Sequence, residues 1–452
     1  MNARSKVLAT ALLLLGSLTF ARAQEQATNA PRHLTLAEAV QLALKHNHLV
    51  RIAGYHVEEK EHAKEKAKSE YFPTLRNGTR AFSVTDTQFI QIGAGELGTV
   101  AGTPVPATPV TISQGGKTFV FSDTGLTQPL TQLFTKVKPQ NDAASAELGA
   151  TRADAQQTEN EVALTVHQLY YSLLITQLHQ SATEARIKAA EDLQNQRTQE
   201  VQYGNALDED LIESRAQTLQ AKQELLTTEL QLSNLSIQLD DVTGLPLSTQ
   251  LELDPSVPGV QSICEPEECV KTALQSHPEI VAAREQLRKA SAGVQLSKAD
   301  YVPDITAFAR YDYQNDVPFL ARNFGSFGFE LTYDLFDGGK RRAAVRESDA
   351  QVDEAKENLA RVTDDVELKV KTALNKLDRT KEMVDVSEQV VALRDESSRV
   401  TSQKLLRGEA LQSQADAAAA QELDAKALLL QSQLGYLQAH DELLEAMGVA
   451  PQ

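Results

Sequence analysis

The pattern of apolar and polar positions divides the chain into segments of different period. From residue 34, apolar residues recur at helical spacing, which predicts a single helix up to the break at Pro73. The helical period then disappears, and large apolar residues alternate with small or polar ones, which predicts strands at about 74–90 and 117–130. A long helical pattern follows and predicts a hairpin of two helices over 136–244.

The same order of segments occurs a second time. Residues 34–82 align without a gap with residues 264–312, so that Lys-Ser-Glu-Tyr-Phe-Pro before the first break matches Lys-Ala-Asp-Tyr-Val-Pro before the second. The second copy predicts strands at about 304–314 and 323–335 and a helical hairpin over 340–448. A repeat of this length indicates one structural unit that is used twice.

Two repeats after a signal peptide account for the chain. Residues 1–23 combine a basic start, an apolar run and a small-x-small cleavage site, which is typical of a secretory signal peptide. The first repeat is predicted over 24–262, with a Pro-containing linker at 245–262, and the second over 263–452. The first helix of each hairpin is on the order of 100 Å long, far longer than a globular domain requires.

The predicted strands have one apolar and one charged face. The expected apolar positions in the last strand are Phe327, Phe329, Leu331 and Tyr333. The expected positions of the charged face are Arg310, Asp312, Glu330 and Asp334. This alternation is the pattern of a transmembrane β-barrel, with lipid outside and a polar lumen inside, although a half-buried soluble hairpin alternates in the same way. We therefore predict that the first set faces lipid and the second set faces the lumen.

The strand count predicts an oligomer. One chain supplies four strands, which are too few to close a barrel, and open strand edges do not persist in lipid. Two copies would give eight strands and a filled interior, whereas three copies give twelve strands and room for a pore. Residues 92–116 form a loop without a counterpart in the second copy, and long loops of such barrels lie on the extracellular side.

Composition and charge exclude several other function classes. The net charge of −18 argues against a nucleic-acid partner. No segment after the signal is apolar for long enough to form a transmembrane helix. The only cysteines, Cys264 and Cys269, predict a small disulfide loop before the second repeat, with two free thiols as the alternative. No residues have the spacing of a catalytic or metal site, so we expect neither an enzyme nor a cofactor.

The order of elements resembles the TolC-like outer-membrane factor family, also called outer-membrane efflux proteins. The resemblance rests on the helix openings at 34–40 and 268–279, the two Tyr-x-Pro breaks, the strand ends at 128–130 and 334–339, and a glycine at each hairpin tip. It extends over essentially the whole chain after the signal. Each motif is weak alone, but the motifs are specific in this order and in duplicate.

The resemblance implies a fold, a location and partners. The expected fold is mixed but mostly α, with a duplicated helix, β-hairpin and long helical-hairpin unit. Three copies would form a twelve-stranded outer-membrane barrel continuous with a periplasmic α-helical tunnel. The implied function is a passive conduit from periplasm to exterior in tripartite efflux or type I secretion. The implied partners are a periplasmic adaptor, an inner-membrane pump and outer-membrane lipid. A periplasmic adaptor or scaffold coiled coil without a pore is the alternative.

The resemblance also implies a gate at the periplasmic tips of the helical hairpins. Family gates have acidic residues at fixed positions after the tip glycine, and only the first repeat of this chain keeps both of them. The candidate gate residues are Gly204, Asp208, Asp210, Glu213, Gly408, Gln414 and Asp416. For the tip acids, carboxylates that are solvated or that cap a helix are the alternative.

Overall fold

The computed structural model describes residues 32–86, 89–113, 116–247, 249–254, 264–315 and 321–451. The predicted signal peptide and half of the predicted linker lie outside the described residues. The chain divides into two compact units. One, here called the helical unit, comprises the described residues within 1–51, 158–273 and 368–452. The other, here called the sheet unit, comprises those within 52–157 and 274–367.

Helices dominate the described part of the chain. They are α1 (Leu36–His46), α2 (His48–Ser69), α3 (Leu130–Thr135), α4 (Val137–Gln202), α5 (Asp208–Thr243), α6 (Pro266–Ser276), α7 (Pro278–Ala299), α8 (Lys340–Leu406) and α9 (Gln412–Ala446). The long helices α4 and α8 have 66 and 67 residues, close to the lengths that their periodicity predicts. Among the described residues, no helix is both long enough and apolar enough to cross a bilayer.

The sheet unit contains a four-stranded antiparallel sheet. Its strands are β2 (Thr74–Ser83), β7 (Thr118–Pro129), β9 (Asp304–Gln314) and β10 (Asn323–Thr332), in the order β10-β9-β7-β2. The first strand is shorter than expected, because residues after Ser83 leave the sheet. They form small hairpins in which β3 (Phe89–Ile92) pairs with β6 (Val110–Ser113), and β4 (Thr99–Val100) pairs with β5 (Thr103–Pro104).

The first helix of each repeat is interrupted, which the periodicity did not predict. Asn47 leaves the helical conformation with φ −59° and ψ 134°, and its side-chain oxygen accepts a hydrogen bond from the Leu49 amide at 2.8 Å. His277 adopts almost the same conformation, and its ring nitrogen accepts from the Glu279 amide at 3.2 Å. Pro278, which lacks an N–H, reinforces the second break. Each break therefore ends one helix and caps the next.

The core of the helical unit lies where its chain segments meet. Leu34, Val166, Leu239 and Leu434 are almost completely buried there. Strand β1 (Arg32–Leu34) pairs in parallel with β8 (Leu251–Leu253), and the Tyr170 hydroxyl donates to the carbonyls of Leu34 and Asp254 at 3.0 Å each. The start of the first repeat is thereby held against the segment that follows its last helix. This parallel pair has no counterpart in the sequence prediction.

Candidate functional site

The four-stranded sheet carries all the charged side chains of its strands on one face. Paired residues on neighbouring strands lie on the same face. Arg310 of β9 pairs with Gly125 of β7, which pairs with Arg76 of β2, while Asp312 pairs with Asp123. The charged residues of this face are Arg76, Arg80, Asp123, Asp304, Arg310, Asp312 and Glu330. Three of the predicted lumen residues, Arg310, Asp312 and Glu330, therefore share one surface.

The opposite face of the sheet is uncharged. Phe327, Phe329 and Leu331 lie on it with 88%, 73% and 65% of their surface exposed, and they pair with Ala309, Ala307 and Ile305. The part of this face formed by β2 and β7 carries polar but neutral groups that bond to each other. One such bond joins the Asn77 amide to the Thr124 hydroxyl at 2.8 Å. No charged residue of the four strands points to this side.

Two predicted strand residues lie beyond the sheet. Strand β10 ends at Thr332, so Tyr333 and Asp334 do not continue its alternation, and their assignments to the lipid and lumen faces are corrected here. The Arg341 guanidinium lies 4.8 Å from the centre of the Tyr333 ring, and it also donates to the Asp334 carbonyl. These contacts turn the chain away from the sheet before α8 begins.

Four charged residues of the sheet were missed by sequence reasoning. They are Arg76, Arg80, Asp123 and Asp304. Polar residues on the uncharged face, Asn77 and Thr79 of β2 and Ser122 and Thr124 of β7, interrupt the alternation of apolar residues, which hid the charged face of the first hairpin. The signal that could have found them is the position of the charges themselves, because Arg76 and Arg80 are an even number of residues apart.

Two tip turns with the same backbone geometry join the long helices to their return helices. Gly204 has a φ of 74° and Gly408 a φ of 73°, in the left-handed region that favours glycine. The amide after each glycine donates to the carbonyl five residues back, at 2.8 Å in the first turn and 2.9 Å in the second. Both helices therefore end in a Schellman-type turn.

One side chain caps the start of each return helix. Asp210 Oδ2 accepts a hydrogen bond from the Leu207 amide at 3.1 Å. Gln414 Oε1 accepts from the Leu411 amide at 3.2 Å in the second repeat. The carboxylate and the amide thus serve the same purpose at matching positions, which is the capping role that was the alternative to a gate.

The remaining candidate gate residues lie around the same turns. Asp208 lies in the first turn of α5, where a carboxylate is favoured by the helix dipole. Glu213 Oε1 accepts from the Gln217 amide at 3.0 Å, and Asp416 Oδ1 accepts from the Gln412 amide at 3.0 Å. A cavity of about 650 Å³ lies between the end of α4 and the start of α9, so the structure brings the two tips together.

A buried polar network joins α4 to α9 within the helical unit. His167 Nδ1 lies 2.6 Å from Asp441 Oδ2, and the Tyr171 hydroxyl donates to the same oxygen at 3.2 Å. Burial alone would raise the pKa of Asp441, but hydrogen bonds from His167 and His440 hold it below its ordinary value. Burial, and then the neighbouring carboxylate, raise the pKa of the Tyr171 hydroxyl. No local pattern in the sequence pointed to this network.

The second repeat begins with a disulfide. Cys264 and Cys269 are bonded, with their Cα atoms 5.5 Å apart, and Cys269 lies in the first turn of α6. Over the described ranges, no three His, Cys, Asp or Glu side chains are grouped so that they could hold a metal ion.

Comparison with known proteins identifies the second repeat. Residues 269–449 match the family model described as "Outer membrane efflux protein". The second repeat is therefore similar to outer membrane efflux proteins. This match confirms the predicted resemblance, with the function class and outer-membrane location that it names, and it does not favour the adaptor alternative. The family is one of channels rather than enzymes. No curated protein sequence is significantly similar to the chain.

Solved structures show that the similarity of fold extends over almost the whole chain. A membrane protein from Pseudomonas aeruginosa has a TM-score of 0.74 at 18% identity, over 92% of this chain and 90% of that one. The CmeC outer membrane channel of Campylobacter jejuni has a TM-score of 0.75 at 15% identity, over 91% and 85%. The outer membrane protein VceC of Vibrio cholerae has a TM-score of 0.71 at 16% identity, over 92% and 96%. A mostly helical fold of the TolC type is therefore confirmed.

Proposed function

We propose that this chain is the outer-membrane channel of a tripartite efflux or type I secretion system. Three copies form a twelve-stranded barrel that continues into a periplasmic tunnel of long helical hairpins. The channel is a passive conduit, and a periplasmic adaptor and an inner-membrane pump supply the cargo and the energy.

The observation that carries this proposal is the separation of charge across the four-stranded sheet. Seven charged side chains lie on one face, and the other face exposes Phe327, Phe329 and Leu331 without a single charge. In water, an exposed apolar surface of this kind is unfavourable. In a bilayer the same arrangement is favourable, because the apolar face contacts lipid and the charged face lines water.

The two outer strands of the sheet support the proposed trimer. Strands β2 and β10 are the ends of the strand order, and each has one edge without a strand partner in the described part of the chain. Because the strands alternate in direction, β2 of one copy and β10 of the next would meet antiparallel. Three copies close the sheet and leave a pore, whereas two would fill it with side chains.

The tip turns support a gate in the tunnel. Drawn around a threefold axis, three copies of Asp208, Asp210 and Glu213 would form an acidic ring next to the Gly204 turns. Asp210 uses one carboxylate oxygen to cap its helix, which fixes the position of its charge. Cations of higher valence would then bind the ring more strongly than monovalent ones.

The proposal is tested by assembly and conductance together. Cysteines introduced at Thr79 of β2 and Phe329 of β10, which both lie on the uncharged face, serve as probes of the strand edges in single and paired variants. The purified protein in detergent should be a trimer, the paired variant should form a covalent trimer on oxidation, and the protein should conduct ions in planar bilayers. The single variants are the controls and should form at most dimers. A monomer that fails to associate with membranes and does not conduct would refute the proposal.

A further inference from the structure

A cavity of about 530 Å³ opens on the charged face of the sheet. Its walls are strand residues that come from all four strands of the sheet. They are Arg80, Phe82, Phe121, Ser122, Asp123, Arg310, Asp312, Tyr313, Gln314 and Phe324. The volume lies in the range of small-molecule sites, and the wall combines aromatic rings with four charges.

The aromatic part of the cavity is a stacked pair with open ring faces. Phe82 and Phe121 lie parallel, with centroids 5.7 Å apart and an angle of 8° between their planes. Phe119 packs 5.6 Å from Phe82 and is itself 2% exposed, so it supports the pair from behind. Phe82 and Phe324 remain 48% and 45% exposed. A planar ring can therefore stack on them without moving the support.

The charged part consists of two carboxylates and two guanidinium groups. Asp123 and Asp312 are directly opposite each other on neighbouring strands, an arrangement of like charges that is unfavourable without a cation nearby. Arg80 and Arg310 lie one step away on either side of this pair. Within the described ranges, no ion pair of 4 Å or less joins any of the four. Both signs of charge are thus available to a ligand.

The backbone makes room for this arrangement. Asp123 lies over Gly78, where an added Cβ would come within 3.0 Å of the Asp123 Oδ1 atom. Any larger residue at this position would push the carboxylate away from the surface of β2. Gly78 therefore lets the Asp123 carboxylate lie close to the surface of β2, beside the stacked rings of Phe82 and Phe121.

We propose that this cavity binds planar aromatic zwitterions at the end of the lumen where Ser83 pairs with Thr118. The rings of the ligand stack on Phe82 and Phe324, its cationic group lies between Asp123 and Asp312, and its anionic group meets Arg80 or Arg310. This inference rests on the proposed channel function, because it makes the charged face a lumen wall. It adds a binding site inside the conduit and a preferred class of cargo.

The test compares two dyes that differ in one charge. Rhodamine B is a zwitterion with a planar xanthene ring, and its ethyl ester keeps the same aromatic cation but has no carboxylate. Fluorescence anisotropy with the full-length trimer in detergent should show tighter binding of rhodamine B. Phe82→Ala with Phe324→Ala should weaken both dyes roughly two- to tenfold, as expected for lost aromatic stacking. Because Phe82 also stacks on Phe121, Phe324→Ala is measured alone as well, and the trimer yield of each variant checks that the sheet is intact.

A second variant separates charge from stacking. Arg80→Gln with Arg310→Gln should lower the affinity for rhodamine B and should not lower the affinity for the ester, because the two guanidinium groups repel the ester's cation in the parent. Phe327→Ala, on the uncharged face, is the control and should alter neither dye. Equal binding of the two dyes by the parent, or unchanged binding after loss of the phenylalanines, overturns the proposal. Conductance of the same preparation tells the two proposals apart: a conducting trimer without a dye preference refutes only the binding site.

Discussion

The buried pair of His167 and Asp441 should contribute far more stability than its exposed neighbour on the same helix. Asp441 and Glu442 are adjacent, and each carboxylate lies 2.6 Å from its partner, His167 or Lys376. The His167 and Asp441 side chains are 1% and 7% exposed, whereas those of Lys376 and Glu442 are 46% and 22% exposed. The two pairs thus match in distance and position and differ in burial.

The difference in burial sets the expected magnitudes. Asp441→Asn takes the carboxylate away from His167 and the Tyr171 hydroxyl in a dry site, and a buried polar group that loses its partner costs about 1–3 kcal/mol, or more where a charge is involved. Glu442→Gln releases Lys376 into water, where an ion pair is worth about 0–1 kcal/mol. The low pKa of Asp441 agrees with a carboxylate that is charged and partnered in the folded protein.

The assay is denaturant unfolding in detergent, followed by helical circular dichroism at one fixed protein concentration, because assembly shifts apparent stability. His167→Gln and the double variant complete a mutant cycle, in which we expect a coupling free energy above about 1 kcal/mol. If Glu442→Gln destabilises the protein as much as Asp441→Asn, or if the coupling is absent, burial does not control the strength of these pairs.

Three further predictions concern a buried acid, the sheet faces and the tips. Burial raises the pKa of Asp240 to about 6, so the folded protein holds this proton more tightly than the unfolded chain. The free energy of unfolding should therefore fall as pH rises from the ordinary pKa of an aspartate to about 6. Asp240→Asn should raise the free energy of unfolding by about 3 kcal/mol at higher pH. A free energy of unfolding that does not change with pH across that window in the parent would contradict this. Phe329→Arg should destabilise membrane assembly by roughly 2–4 kcal/mol. Thr332→Arg should assemble normally, because Thr332 pairs with an aspartate on the charged face. The measurement is the yield of trimer in outer membranes, and equal yields of the two variants would contradict the face assignment. Asp210→Asn with Glu213→Gln should weaken block by divalent cations in bilayer recordings and keep the helix cap, and block as tight as in the parent would place the acidic ring elsewhere.

Local signals in the sequence predicted the elements that depend on local physics. The alternation of Phe327, Phe329 and Leu331 follows from the pleat of one strand, and their shared face needs no distant contact. The turn at Gly204 follows from the conformations that glycine alone adopts freely. Both could therefore be assigned from the residues themselves.

Features that depend on distant contacts escaped the sequence. Strand β10 ends at Thr332, and Arg341 contacts the segment after it, but a period of two does not show where a strand stops. His167 and Asp441 are 274 positions apart, so the sequence around either residue does not indicate its partner. In the sequence, Asn47 resembles any polar residue of a helix. In the structure, its side-chain amide donates a hydrogen bond to the Val242 carbonyl at 3.2 Å.

The matching caps of Asp210 and Gln414 allow charge to vary while shape stays constant. Either side chain offers an oxygen to the same backbone amide, so exchanging one for the other should leave both turns as they are. The two caps together could thus carry two negative charges or none, instead of one, through a single substitution at one of these positions. The duplicated unit therefore provides two turns with the same geometry. Selection can change the charge of one turn without changing the backbone geometry of either.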